Sequence, residues 1–175
     1  MDDIDGCKAF LEMICNEKNV ARYDKGDQSF EEIIADWKVE YPYWKDQLEE
    51  FCVRHIDVVL GEIPGMRDLI TRLKAAGYGV YGLTNWSNVV YQVIRKFDIL
   101  RMMDGMVISS EEKLIKPDPA IYKVLFERFN LKPEECVFVD DKLANVEGAR
   151  KVGMPSIQFL NAKQLESELG LYIKL

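Results

Sequence analysis

A chain of 175 residues suits one domain, or one core with a small appendage. With 48% hydrophobic and 30% charged residues it has an ordinary globular make-up, and a net charge of −7 argues against a lysine- and arginine-rich surface for nucleic acid. No run approaches the ~18 apolar residues of a membrane span, and the acidic Met1-Asp2-Asp3 opening is not a basic leader, so a cytoplasmic location is expected.

Residues 1–60 carry helical spacing and no convincing strand. Phe10, Leu11, Met13 and Ile14 form one apolar face, and Phe30, Ile33, Ile34 and Trp37 form another. Asp27 or Ser29 can cap the second helix, and Glu31 and Glu32 suit its positive first turn. Tyr41-Pro42-Tyr43 interrupts the chain before a third helix over 46–59.

From Gly61 the pattern alternates between strands and helices. Ile63-Pro64-Gly65 turns into a helix over 66–76, which Gly77 closes as a C-cap. A short buried strand follows over 78–84, then a helix over 89–97, a strand over 106–109 and a helix over 119–129. The run 136–140 is continuously apolar up to Asp140, as in a strand covered on both faces. A helix over 145–152 closed by Gly153, a strand over 156–159 and a helix over 162–169 complete the series. Such alternation predicts an α/β fold, a parallel sheet with helices on both faces.

Of the four cysteines (Cys7, Cys15, Cys52 and Cys136) none forms a CxxC pair, so free thiols are expected, with Cys136 buried. His55 is the only histidine, in an apolar helix-like run; a structural or surface place is expected for it.

In open α/β sheets ligands bind beyond the carboxyl ends of the strands, and the chain's polar residues collect there. Thr84 and Asn85 follow the first strand directly, where a hydroxyl, an amide and backbone N–H groups make either an anion site or an ordinary helix cap. Asp140 and Asp141 follow the third strand. Adjacent carboxylates raise each other's pKa, and Mg²⁺ relieves that cost; the alternative is an exposed acidic loop capping the next helix. Lys116, fixed before Pro117, is either a neutralising group for phosphate or a surface lysine.

Together, Gly82-Leu83-Thr84-Asn85-Trp86-Ser87, Leu114-Ile115-Lys116-Pro117-Asp118-Pro119-Ala120-Ile121-Tyr122 and Val137-Phe138-Val139-Asp140-Asp141 through Asn145 and Gly148-Ala149 resemble the second, third and fourth motifs of the haloacid dehalogenase (HAD) superfamily. The branch they most resemble has a small helical cap and contains haloacid dehalogenases and sugar phosphatases. The resemblance implies a Rossmannoid core over 61–175 and a partial cap over 1–60. It also implies that Thr84 contacts the transferring phosphoryl group, Asn85 shapes its pocket and Lys116 neutralises nucleophile and phosphate. Asp141 would bind Mg²⁺ directly or through water, Asp140 would orient Lys116 or share the metal, and Asn145 would support them. Trp86 is the better candidate for a substrate contact; Tyr41, Tyr43 and Trp44 are further aromatic candidates in the cap, with the cap core the favoured place for them.

The family's first motif, a buried strand ending in Asp-x-Asp, has no good counterpart. Asp3-Ile4-Asp5-Gly6 fits its letters, but only two residues precede it and a helix follows at once, so Asp3 is not taken as the nucleophile. The expectation is that the first, central strand is absent, through a mis-set start, a truncation or degeneration. Losing three buried aliphatic side chains would remove roughly 5–9 kcal/mol and leave strand edges open. Two functions follow. One is a Mg²⁺-dependent phosphatase of a small phosphorylated metabolite, acting through an aspartyl phosphate, with Met1 expected to be an internal methionine of it. The other is a non-catalytic relative or fragment that binds Mg²⁺ or phosphate at most. A 2-haloacid dehalogenase-like activity ranks third, because carbon–halogen displacement needs no metal.

Overall fold

A computed structural model describes residues 4–174. Four α-helices come first: α1 (Ile4–Ile14), α2 (Glu17–Lys25), α3 (Phe30–Glu40) and α4 (Lys45–Arg54). The sequence reading missed α2, because its only apolar side chains of any size are Val20 and Tyr23. Its ends define it instead. Asn16 accepts a hydrogen bond from Asn19 N, and Gly26 ends the helix at φ 71°, a left-handed position open to glycine. In α3 it is Ser29, not Asp27, that caps, in a reciprocal pair with Glu32. The predicted helix over 46–59 ends at Arg54 and tightens into a 3-10 turn, His55–Val58. Phe30, Ile33, Ile34, Trp37 and Leu48 bury their side chains in one helical core with Ile14. At roughly 1.5–3 kcal/mol per buried side chain, that core outweighs any helix propensity.

The rest is α5 (Met66–Ala75), β1 (Tyr81–Thr84), α6 (Val90–Lys96), β2 (Gly105–Ile108), α7 (Ser109–Glu112), α8 (Pro119–Phe129), β3 (Phe138–Asp140), α9 (Leu143–Lys151), β4 (Ser156–Gln158) and α10 (Ala162–Leu169). Strands β1, β3 and β4 are shorter than the runs predicted for them, and β2 lies one residue earlier than predicted. Cys136 accordingly lies before β3 and is half-buried rather than buried; all four cysteines are free thiols.

The strands form two parallel pairs. In β1–β2, Thr84 stands opposite Ile108; in β3–β4, Asp140 stands opposite Gln158. Helices cover both faces, as alternation along β3 shows. Phe138 enters a cluster with Ile121, Tyr122, Leu125 and Ala149, while Val137 and Val139 face Leu69, Ile157 and Leu165 on the other side. Among the described residues no strand precedes β1, and β1 and β3 share no backbone ladder. Asp3 lies outside the described residues.

Candidate functional site

The carboxyl ends of β1 and β3 are joined by one side chain. Lys116 Nζ donates to the Leu83 carbonyl of β1 at 2.6 Å and to Asp140 Oδ2 of β3 at 2.7 Å, with both charged groups buried. Its backbone is clamped as well: Asn85 Oδ1 accepts from Lys116 N at 2.8 Å, and Asn85 Nδ2 donates to Lys116 O at 3.0 Å. Asn85 therefore spends its amide on holding Lys116. The next helix, α6, begins only at Val90, so Thr84 and Asn85 do not stand at a helix start.

Asp140 is saturated in the same way. Its Oδ1 accepts from Lys142 N at 2.9 Å and from Asn145 Nδ2 at 3.0 Å. Burial alone would raise its pKa, but the Lys116 charge and these hydrogen bonds prevail and lower it. Asn145 is held in turn, since Tyr122 Oη donates to its carbonyl at 2.7 Å.

The mutual repulsion expected of Asp140 and Asp141 is avoided by position. The side chain of Asp140 turns inward to Lys116, whereas Asp141 is exposed, with its backbone carbonyl accepting from Gln158 Nε2 at 3.0 Å. Among the described residues no group of three or more His, Cys, Asp or Glu is placed to hold a metal. One open carboxylate suits Mg²⁺, which keeps several waters and takes phosphate oxygens. Asp141 has an exposed carboxylate of that kind, whereas both carboxylate oxygens of Asp140 are engaged within the protein.

Thr84 stands half-buried at the end of β1. Trp86 N donates to Ser109 Oγ at 2.8 Å, and its ring packs against the helical core. Trp44 and Tyr41 pack there too, while Tyr43 is 83% exposed and joins no core.

Three residues beside the site, Ser109, Gly26 and Asp24, escaped the sequence reading. Ser109, fully buried, donates to the Asp24 carbonyl at 2.5 Å and so ties the end of α2 to the start of α7. Gly26 reinforces that junction: a Cβ there would lie 2.4 Å from Ser110 Cβ. Asp24 itself is a buried carboxyl whose pKa burial pushes up to about 7, against the opposing charges of Lys142 and Lys116. The Tyr23-Asp24-Lys25-Gly26 stretch, polar and ending in a cap glycine, was the available signal.

A family model for haloacid dehalogenase-like hydrolases matches residues 8–153. The chain belongs to that family. Among HAD relatives, the glyceraldehyde 3-phosphate phosphatase of Pyrococcus furiosus is 34% identical over 112 residues, 63% of this chain and 47% of that protein. This chain spans about half the length of the curated relatives it matches. The solved structure of a HAD-like family hydrolase from Porphyromonas gingivalis aligns with a TM-score of 0.75 at 19% identity, covering 96% of this chain and 85% of that one. A variant HAD family enzyme from Bacteroides thetaiotaomicron, in complex with magnesium and inorganic phosphate, aligns at 0.70 and 21% identity, covering 91% and 87%. These two likenesses are of fold. No helix among the described residues is long and apolar enough to cross a membrane.

Proposed function

We propose that this chain carries the binding and neutralising side of a Mg²⁺-dependent phosphatase site for a small phosphorylated metabolite, with 61–175 as the HAD core and 1–60 as a partial helical cap. The observation that carries this reading is the state of Lys116. An ammonium has three protons, and two of those on Lys116 are committed, to Leu83 O and Asp140 Oδ2. The third is left for a phosphate oxygen. Thr84 would supply a hydroxyl to the phosphoryl group, Asn85 and Asp140 would fix Lys116, and Trp86 would contact the remainder of the substrate. When bound on Asp141, Mg²⁺ would neutralise phosphoryl charge. That relatives include phosphatases of small phosphorylated compounds supports the reading, and a cytoplasmic place for such work belongs to the proposal.

A binding-only reading rests on a separate observation. Among the described residues Asp140 is the one carboxylate within ion-pair distance of Lys116, and both its oxygens are engaged. Turnover through an aspartyl phosphate requires another carboxylate beside the phosphorus. The experiment is to titrate the 175-residue chain with inorganic phosphate, with and without Mg²⁺, and to assay p-nitrophenyl phosphate in parallel. Mg²⁺-dependent phosphate binding that disappears in Asp141→Asn, without p-nitrophenyl phosphate hydrolysis above background, is the expected result. Binding indifferent to Mg²⁺ and to Asp141→Asn would sink the proposal. Turnover that Asp3→Asn removes would overturn the binding-only reading and make Asp3 the nucleophile.

A further inference from the structure

Leu83 and Asn85 hold Lys116, and the segment they belong to is held in turn by a serine of the neighbouring strand end. Thr84 stands opposite Ile108 in the β1–β2 ladder, so Ser109 follows β2 at the level where β1 gives way to Asn85 and Trp86. The fully buried Ser109 accepts from Trp86 N at 2.8 Å through Oγ, and Ser110 N donates to Trp86 O at 3.3 Å. The backbone of Trp86 is therefore gripped at both its donor and its acceptor.

The Ser109 hydroxyl has one proton and two carbonyls within reach, Asp24 O at 2.5 Å and Trp86 O at 3.2 Å. The shorter distance gives the proton to Asp24, near the end of α2. A hydroxyl that donates is a better acceptor, because linked hydrogen bonds polarise one another, so the bond to Asp24 O strengthens the one from Trp86 N. Were α2 to withdraw, the Asp24 carbonyl would leave with it. The proton would then turn to Trp86 O, and the oxygen's lone pairs would rotate away from Trp86 N.

A close fit seats the end of α2. A Cβ on Gly26 would lie 2.6 Å from Ser110 Cα and 2.8 Å from Ser110 O, so the helix end rests directly on the α7 backbone. Lys113, exposed at the end of α7, donates from Nζ to the Gly26 carbonyl. Tyr23, beside Asp24, meets the same segment. Burial pushes its hydroxyl up to about 12, opposed by hydrogen bonding with the Ser87 and Trp86 side chains.

We propose that Ser109 is a positioning residue that passes the seating of α2 to Trp86 and Asn85, and through Asn85 to the Lys116 ammonium. Phosphate affinity then depends on Gly26 and Lys113, which are not among the groups assigned to phosphate. The phosphate half of this assignment rests on the reading above, whereas the link from α2 to Asn85 can be measured without it.

The test follows the Asn85 and Lys116 amides of the ligand-free full chain by NMR, and measures phosphate affinity with Mg²⁺ by isothermal titration. Gly26→Ala pushes the end of α2 off Ser110, Lys113→Met removes the bond to the Gly26 carbonyl, and Ser109→Ala cuts the link itself. Gly26→Ala and Lys113→Met are both expected to move the Asn85 and Lys116 amides. Ser109→Ala and Gly26→Ala should each weaken phosphate binding about fivefold, the weight of one hydrogen bond. The double variant should bind no more weakly than Ser109→Ala alone, because the link is already cut. Should Gly26→Ala fail to fold, Lys113→Met takes its place in the cycle; should Ser109→Ala fail, the Lys113→Met amides and affinity decide. A serine that only packs would lower stability in urea and leave the affinity of the folded chain unchanged. Unmoved Asn85 and Lys116 amides in Gly26→Ala and Lys113→Met, unchanged affinity in every variant, or losses that multiply in the double variant would overturn the inference. A wild-type chain that binds no phosphate while those amides still move supports the link and removes the phosphate reading.

Discussion

Lys116 Nζ and Asp140 Oδ2 lie 2.7 Å apart, buried, and form the only side-chain bridge between the ends of β1 and β3 among the described residues. The sheet is divided into two pairs, and this ion pair with the Leu83 carbonyl links them through one side chain. The site and the stability of the core therefore depend on the same two residues.

Removing either partner leaves a buried charge uncompensated. Lys116→Met and Asp140→Asn should each cost about 3–5 kcal/mol, and the double variant should cost clearly less than the two losses added together. Urea unfolding of the four proteins measures this. The pH dependence has a definite sign. The Asp140 carboxyl is held below its ordinary value, so its contribution is present above the unfolded carboxyl's pKa of about 3.9 and fades as pH falls through the folded value. Acid unfolding should steepen below about pH 4 in the wild type and lose that component in Asp140→Asn.

The adjacent carboxylate should behave differently. Asp141 is exposed, so Asp141→Asn should change stability by less than about 0.5 kcal/mol. Thermal melts with and without Mg²⁺ and phosphate separate the two aspartates. Asp141→Asn should lose the ligand-induced rise in Tm while keeping the basal Tm, and Asp140→Asn should lower the basal Tm.

Asp24 titrates in the opposite sense. Its pKa is pushed up to about 7, above the unfolded value, so the folded state holds the proton more tightly. Stability from this group is full below the unfolded pKa of about 3.9 and falls as pH rises toward about 7. Asp24→Asn removes the buried charge and should stabilise the chain at pH 7.5 by on the order of 2 kcal/mol, with little gain at pH 4. Chemical denaturation at the two pH values would refute this if the gain were equal at both.

Gly148 sits where α9 presses on the lysine's support. A Cβ there would meet Pro117 Cβ at 2.8 Å and Tyr122 Oη at 2.9 Å. Gly148→Ala should destabilise by about 1–3 kcal/mol through overpacking. It should also weaken phosphate binding by displacing the segment that follows Lys116. Isothermal titration would show the second effect, and unchanged affinity would separate Gly148 from the site.

Much of this protein was written in local patterns. The apolar spacing of Phe30, Ile33, Ile34 and Trp37, the Pro119 start of α8 and the Gly77 and Gly153 turns follow from side-chain periodicity and backbone conformation, which act over a few residues. Thr84, Asp140 and Asp141 could be singled out because polar groups immediately after apolar runs mark strand ends, and Lys116 because Pro117 follows and fixes it. Which of them touch was decided by packing across long separations. Only the fold could turn Asn85 onto the Lys116 backbone, divide the Asp140-Asp141 pair between a buried ion pair and solvent, and bring Asp24 and Ser109 together from 85 positions apart. Burial, which raises the Asp24 pKa and leaves Trp37 Nε1 and His55 Nε2 without a partner among the described residues, is a property of the assembled core and has no local signature.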